Sequence, residues 1–235
     1  MTLDAYQIDI QDRIIITENL NVNNIASLKT LLPGFQEITF FTNAVSTRTQ
    51  GLDLVASYKH SVGAKGKFTS SVALTVNKTE ISGVKDTPAA LQAGTTAKVI
   101  LIDTVSRALI ETSQPHTKVL ISAGYQIGKW SFNVRSSYFG EVTAWEKLSK
   151  PVTGTSNLHQ SQTFAGKNLY DVSVVYNFNK FLSLTLGGNN ITDVYPDKVY
   201  SNYVSYSNGQ VPYTRNANQF GFNGSYYYGN LTVRF

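Results

Sequence analysis

Catalysis or metal binding needs reactive side chains at set spacings, and this chain offers few. It has no cysteine, which removes thiolate nucleophiles, thiolate zinc sites and disulfides. Its three histidines, His60, His116 and His159, stand far apart, and none sits in a ligand spacing such as H-x-x-x-H. No Gly-rich phosphate loop follows a strand pattern, and no G-x-S-x-G elbow occurs. Asp9, Asp12 and Arg13 share one extended stretch and suit a charge pair better than acid–base catalysis. The expectation is a protein that is not an enzyme, with no catalytic residue, no metal and no cofactor. One stretch is suited to holding a ligand. Tyr195, Tyr200, Tyr203, Tyr206 and Tyr213 lie close in sequence, with Asn202, Asn208 and Arg215 among them. A tyrosine offers a flat apolar face and a phenol, which suits sugars, aromatic chelates or peptides. An aromatic girdle with loop self-packing accounts for the same residues.

The elements that must position these tyrosines are strands. Of the 235 residues, 42% are hydrophobic, 12% aromatic and only 15% charged, against about 25% charged in ordinary soluble domains. Mean hydropathy is −0.14, and no run approaches the roughly 20 apolar residues a membrane-spanning helix needs. Net charge is +5, but the basic residues are scattered, so no nucleic-acid surface is expected. The start carries no basic segment followed by an apolar one, hence no leader pattern.

Alternation with period two marks eight strands. The first runs over 5–16, with Tyr6, Ile8 and Ile10 against Gln7, Asp9 and Gln11. The second continues through Leu52, Leu54, Ala56 and Tyr58, and the third through Phe68, Val72, Leu74 and Val76. Val119 to Ile127, Trp130 to Tyr138, Tyr170 to Phe178 and Leu182 to Leu186 follow. The eighth is the chain's end, where Tyr227, Leu231, Val233 and Phe235 share one face and Tyr226, Tyr228, Asn230 and Thr232 the other. Asn24 is placed to cap a short helix bearing Ile25, Leu28 and Leu32, and a second helix is predicted over 103–112. Residues 146–167 read as a polar loop. Asn189, Asn190 and Asp193 form a strand-ending turn, because Asn and Asp side chains bond to nearby backbone.

The connections run long, short, long, short, long, short, long. In an antiparallel meander every second connection lies at the same end, so all long loops gather at one end and all tight turns at the other. That sorting is the pattern of an outer-membrane β-barrel, with short periplasmic turns and long extracellular loops. A soluble sandwich has no reason to sort its loops so strictly.

Four segments, taken in order, resemble the C-terminal part of a TonB-dependent outer-membrane receptor. They are Asp4-Ala-Tyr-Gln-Ile-Asp-Ile-Gln-Asp-Arg-Ile14, Phe41-Thr-Asn-Ala-Val-Ser-Thr-Arg-Thr-Gln-Gly-Leu-Asp-Leu54, the box Gly187-Gly-Asn-Asn-Ile-Thr-Asp-Val-Tyr-Pro196, and the close from Gln219 to the terminal Phe235. The resemblance covers nearly the whole chain. It implies an all-β fold, one unit over 1–235: about eight antiparallel strands of a 22-stranded barrel, with short helices in long extracellular loops. It implies import of a scarce solute such as a siderophore, oligosaccharide or peptide across the outer membrane, with the C-terminus periplasmic. The implied partners are outer-membrane lipid, the barrel-assembly machinery reading Phe235, Val233, Leu231 and Tyr227, and the TonB complex through a plug segment absent from these residues. Met1 falling within strand pattern suggests a fragmentary gene, so energy-coupled transport is not expected of the chain alone. A stand-alone eight-stranded barrel with an adhesin or structural role is the alternative. The small residues on the polar face of the third to seventh strands (Ser, Thr, Asn, Gly, Ala) count against it, being too small to fill so narrow a barrel.

Overall fold

The computed structural model describes residues 1–92, 99–148, 159–217 and 219–235. Its frame is one antiparallel meander. Strands β1 (Thr2–Ile16), β4 (Phe41–Val62), β5 (Gly66–Val84), β6 (Thr117–Ile127), β7 (Trp130–Phe139), β10 (Lys167–Asn177), β11 (Leu182–Asn189) and β12 (Tyr226–Val233) follow one another in a single eight-stranded sheet. Two further pairs lie in the connections: β2 (Leu20–Asn21) with β3 (Glu37–Ile38), and β8 (Val142–Lys147) with β9 (His159–Phe164). The short turns, at Gly63, Gly128 and 178–181, all fall at one end of the sheet, and the long connections fall at the other. Gly63 and Gly128 have φ of +64° and +55°, where only glycine sits without strain.

Register fixes the two faces. Across β4–β5–β6–β7–β10–β11–β12, the partners Leu54, Leu74, Val119 and Tyr138 share a face, as do Phe132, Val174, Leu186 and Gly229. The opposite face carries Ser71, Ser122, Arg135, Asp171, Ser173, Gly187 and Tyr228. It is knitted by cross-strand bonds, Ser71 Oγ to Ser122 Oγ at 2.7 Å and Arg135 Nε donating to Asp171 at 2.9 Å. In β1 the alternation runs against expectation. Leu3 and Ala5 pair with Leu54 and Leu52 on the apolar face, while Tyr6, Ile8 and Ile10 pair with Gly51, Thr49 and Thr47 on the polar one. The reason is at Gly51, where Tyr6 lies so close that a Cβ would meet its ring. At the other edge Tyr228 covers Gly187 in the same way. A glycine opposite an aromatic lets the ring lie flat across the neighbouring strand. Asp9 is therefore on the apolar side, paired with Arg48 at 2.7 Å, and Asp12 pairs with Lys85 rather than Arg13.

The buried core is not in the sheet. Leu20, Val22, Ile25, Leu28 and Val99 form one cluster and Ala44, Val45, Leu101 and Ile102 a second. A third is built from Val142, Ala144, Leu148, Phe164, Val199 and Tyr203. All three belong to the long connections or the strand ends that feed them. The helices there depart from expectation in detail. Asn21, not Asn24, caps, its Oδ1 accepting from Asn23 N–H at 2.9 Å to close a 3₁₀ turn (Val22–Asn24) before α1 (Ala26–Leu31). Pro33-Gly34 ends that helix, with Gly34 at φ +93°. A single turn, α2 (Ala89–Gln92), precedes α3 (Thr104–Glu111). That helix is capped by Asp103 accepting from Ser106 N–H at 2.7 Å and buries Ala108, while Leu109 points out to solvent. Residues 146–167 are no simple polar loop, since most of their described part is β9 and the end of β8.

Candidate functional site

The β8–β9 hairpin is the platform on which the tyrosine-bearing loop is laid. Val142, Ala144 and Glu146 turn one way along β8 and are buried; Gln162 and Phe164 do so on β9. Gln162 then acts as a clamp. Its Nε2 donates to Lys198 O at 2.8 Å and its Oε1 accepts from Tyr200 N–H at 3.0 Å, so one buried amide satisfies both polar groups of the incoming loop. Val199 N–H donates to Pro212 O at 2.9 Å, closing the loop on itself. Buried Glu146 accepts from the Thr214 hydroxyl, and Asn216 Nδ2 donates to Trp145 O at 3.3 Å.

The six expected ligand residues do not converge. Tyr203 is core, only 2% exposed, and Tyr206 packs against the same cluster. Burial pushes the Tyr203 phenol up to about 12, aided by Tyr200 and Glu146 nearby. Tyr200 stands at the surface, its ring tilted against Tyr203. Tyr195 belongs to the turn after β11, its phenol raised by its hydrogen bond to Asp193. The Asn208 side chain lies outside the described residues. Tyr213 and Arg215 line a common cleft, together with residues absent from the expected set. Tyr213 stacks on Phe222, centroids 5.7 Å apart, and both line a cleft of about 300 Å³ with Phe164, Pro196, Phe220 and Arg215. Phe220 packs on Phe139 at 5.6 Å, and Phe139 shares the face of Arg135, so the cleft sits at the rim of the polar face. The signal for Phe220 and Phe222 lay in their i, i+2 spacing, masked by the following Gly and Asn residues.

Two anchors hold this loop to the sheet. Asp197 accepts from the Lys167 ammonium and the Ala165 N–H, each at 2.7 Å. Burial alone would raise its carboxyl, but the Lys167 and Ala165 bonds outweigh that and hold it below the ordinary range. The other anchor is the turn after β11, which Asn189 ends. Asn190, at φ +47°, donates through Nδ2 to Val194 O at 2.8 Å, accepts from Val194 N–H at 3.0 Å, and donates its own N–H to Asp171 at 2.8 Å. Asp193, at φ +54°, accepts from Ser225 N–H at 2.8 Å, tying that turn to the start of β12. Asp171 therefore links Arg135 on the polar face to the turn. At the chain's end, Tyr227, Leu231 and Val233 are exposed on the apolar face, and Phe235 projects with no cover at all.

The family model for the TonB dependent receptor-like β-barrel matches residues 1–191. The chain belongs to the TonB-dependent receptor β-barrel family. No curated protein matches. The eight-stranded meander is the fold seen in the solved structure titled "Copper transporter OprC", 14% identical, with a TM-score of 0.51, covering 99% of this chain and 28% of that one. A structure of the FpvAI–pyocin S2 complex matches at 12% identity and a TM-score of 0.48, covering 98% of this chain and 24% of that one. The chain thus spans about a quarter of the length of these two solved receptor chains. Within the TonB-dependent receptor family model, the match takes in β1 through β11 and the two residues that follow, Asn190 and Ile191.

Asn190→Ala should destabilise the folded chain by about 2–3 kcal/mol, from two lost bonds and a left-handed backbone without Asn's tolerance for it. Asn190→Gly should recover the backbone part and lose only the bonds. Chemical unfolding of the three proteins checks the order. The Asp197 contribution is present above the ordinary carboxylate value of 3.8 and is lost as the pH falls below it. Pepsin cleavage within 195–225 should accordingly rise below that pH in the parent chain. Asp197→Asn should show raised cleavage throughout, with little further change.

Proposed function

We propose that this chain is part of the wall of an outer-membrane transport barrel that imports a scarce solute of the metal or siderophore type. The observation that carries this is an eight-stranded sheet with no layer packed on its apolar face among the described residues, whose long connections all lie at one end. In water that surface would be untenable, since an exposed apolar patch of such extent marks an interaction surface or an aggregation site. In a bilayer it is the lipid face, and Ser71, Ser122, Asn133, Arg135 and Asp171 line a wet interior. The tight turns and the C-terminus then lie on the periplasmic side, with the cleft at the extracellular mouth. Tyr58, Phe68, Tyr125, Trp130 and Tyr176 mark the inner interface, and Tyr138, Tyr170 and Tyr227 the outer one. Contact with the TonB complex is assigned to a plug segment and not to these strands.

Val174→Arg and Ser173→Arg test the face assignment on neighbouring residues of β10. Val174 pairs with Phe132 and Leu186 on the apolar face, Ser173 with Asn133 and Gly187 on the other. The first change should cost about 2–4 kcal/mol in lipid vesicles and the second far less. Equal costs would remove the bilayer reading of this sheet.

The terminal aromatic is assigned to recognition by the barrel-assembly machinery, together with Val233, Leu231 and Tyr227. Phe235 is fully exposed, so deleting it removes no packing within the chain. Its deletion should nonetheless lower the amount recovered in the outer membrane at unchanged synthesis. Recovery equal to that of the parent would count against the assembly role.

A further inference from the structure

The cleft between the β8–β9 hairpin and the 211–222 segment has the size, lining and charge of a selective binding site. Its volume, about 300 Å³, lies at the lower end of the roughly 300–1,000 Å³ typical of small-molecule pockets. That admits one or two fused rings. The walls are aromatic faces and aliphatic carbon from Tyr213, Phe222, Phe220, Phe164 and Pro196. A sugar would need several polar groups turned toward it, and here Asp197, Thr214 and the Gln219 amide nitrogen are already engaged. Both Asp197 oxygens are occupied by Lys167 and Ala165. Thr214 donates to Glu146 and accepts from Asn216 N–H. The Gln219 amide nitrogen donates to Gly140 O at 2.7 Å and Ala165 O at 3.1 Å.

Arg215 differs. It lines the same cleft, is exposed, and has no ion pair or hydrogen bond among the described residues. A guanidinium presents a planar fork that matches a carboxylate through two parallel bonds. The only acid in the lining, Asp197, is already neutralised by Lys167, so the free charge of the cleft is positive. Flat walls with one unpaired cation call for a flat apolar body with one anionic group.

We propose that this cleft binds a compact aromatic anion, a one- or two-ring arene carrying a carboxylate, with its ring against Tyr213 and Phe222 and its carboxylate on Arg215. This replaces the general solute type given above with a small aromatic anion and rests only on the import function proposed there, with the loops as the capturing end.

The test uses the full chain folded in detergent, with 2-naphthoate as the probe, read by its own fluorescence. The neutral isostere 2-naphthamide measures the charge requirement, and competition by cyclohexanecarboxylate measures the requirement for a flat ring. The parent chain should prefer naphthoate over naphthamide by about tenfold or more, the value of one charge-assisted pair. Arg215→Gln should abolish that preference, Arg215→Lys should keep part of it, and cyclohexanecarboxylate should compete weakly. Absence of naphthoate binding at millimolar concentration in folded protein would overturn the proposal, as would equal binding by Arg215→Gln. Recovery from the outer membrane is scored separately in cells. Insertion without naphthoate binding sinks the cleft assignment and leaves the transport function standing. Arg215-dependent binding by a protein that never reaches the outer membrane supports the cleft and overturns the transport function.

Discussion

One constraint governs this molecule: a sheet of eight strands has two faces, and among the described residues no second layer covers either. Leu186, Phe132, Ile121 and Leu231 are exposed on one side, while Ser71, Ser122 and the Arg135–Asp171 pair occupy the other. In a soluble domain at least one face would be packed by a second layer, and burial there would supply most of the stability. Here the burial has to come from surroundings that are themselves apolar. Backbone pairing then becomes the main internal force holding the strands, because unpaired amides and carbonyls are costly in hydrocarbon. β4 and β5, paired over nearly their whole lengths from Val45–Val84 to Val62–Gly66, show how far that pairing extends.

The same constraint explains where the conventional cores lie. The long connections bury their own apolar residues. They do so in three small clusters, each assembled from a strand end and the loop passing over it. The hairpin β8–β9 is the clearest case. It contributes Val142, Ala144 and Phe164 to a core completed by Val199 and Tyr203 from a loop more than 30 residues later in the chain. Buried Gln162 and Glu146 then serve the backbone and hydroxyl groups of that loop. A loop held in this way presents fixed side chains, which a binding surface requires.

Anchoring extends downward into the wall. Asp171 receives Arg135 from β7 and the amide of Asn190 from the turn above. Asn190 holds Val194, and Asp193 holds Ser225 at the start of β12. The loop carrying the aromatic cleft is thus tied to the polar face at one end and through Asp197 and Lys167 at the other. The left-handed backbone at Asn190 and Asp193 is a cost of about 1 kcal/mol per residue, offset by those bonds.

Sequence alone determined the eight strands of the main sheet, their antiparallel order and the sorting of long and short connections. Alternation and turn residues are local, and sheet strands of 8 to 22 residues leave little ambiguity in either. It also determined the helix over 103–112, which forms as α3. What it left undecided depended on contacts between distant residues. The face taken by Tyr6, Ile8 and Ile10 follows from a glycine forty-five positions away, and alternation within β1 carries no trace of it. The β8–β9 hairpin escaped notice because His159-Gln-Ser-Gln-Thr has loop composition, and its burial comes only from the later loop that covers it. The tyrosines of 195–213 form a compact set along the chain, yet the tertiary structure spent Tyr203 and Tyr206 on packing and Tyr195 on a turn. Only the fold of 211–222 back over Phe139 brought Tyr213 and Arg215 together with Phe220 and Phe222. Composition can say that aromatic residues are present; which of them are buried and which are left facing a cleft is settled by what the rest of the chain lays against them.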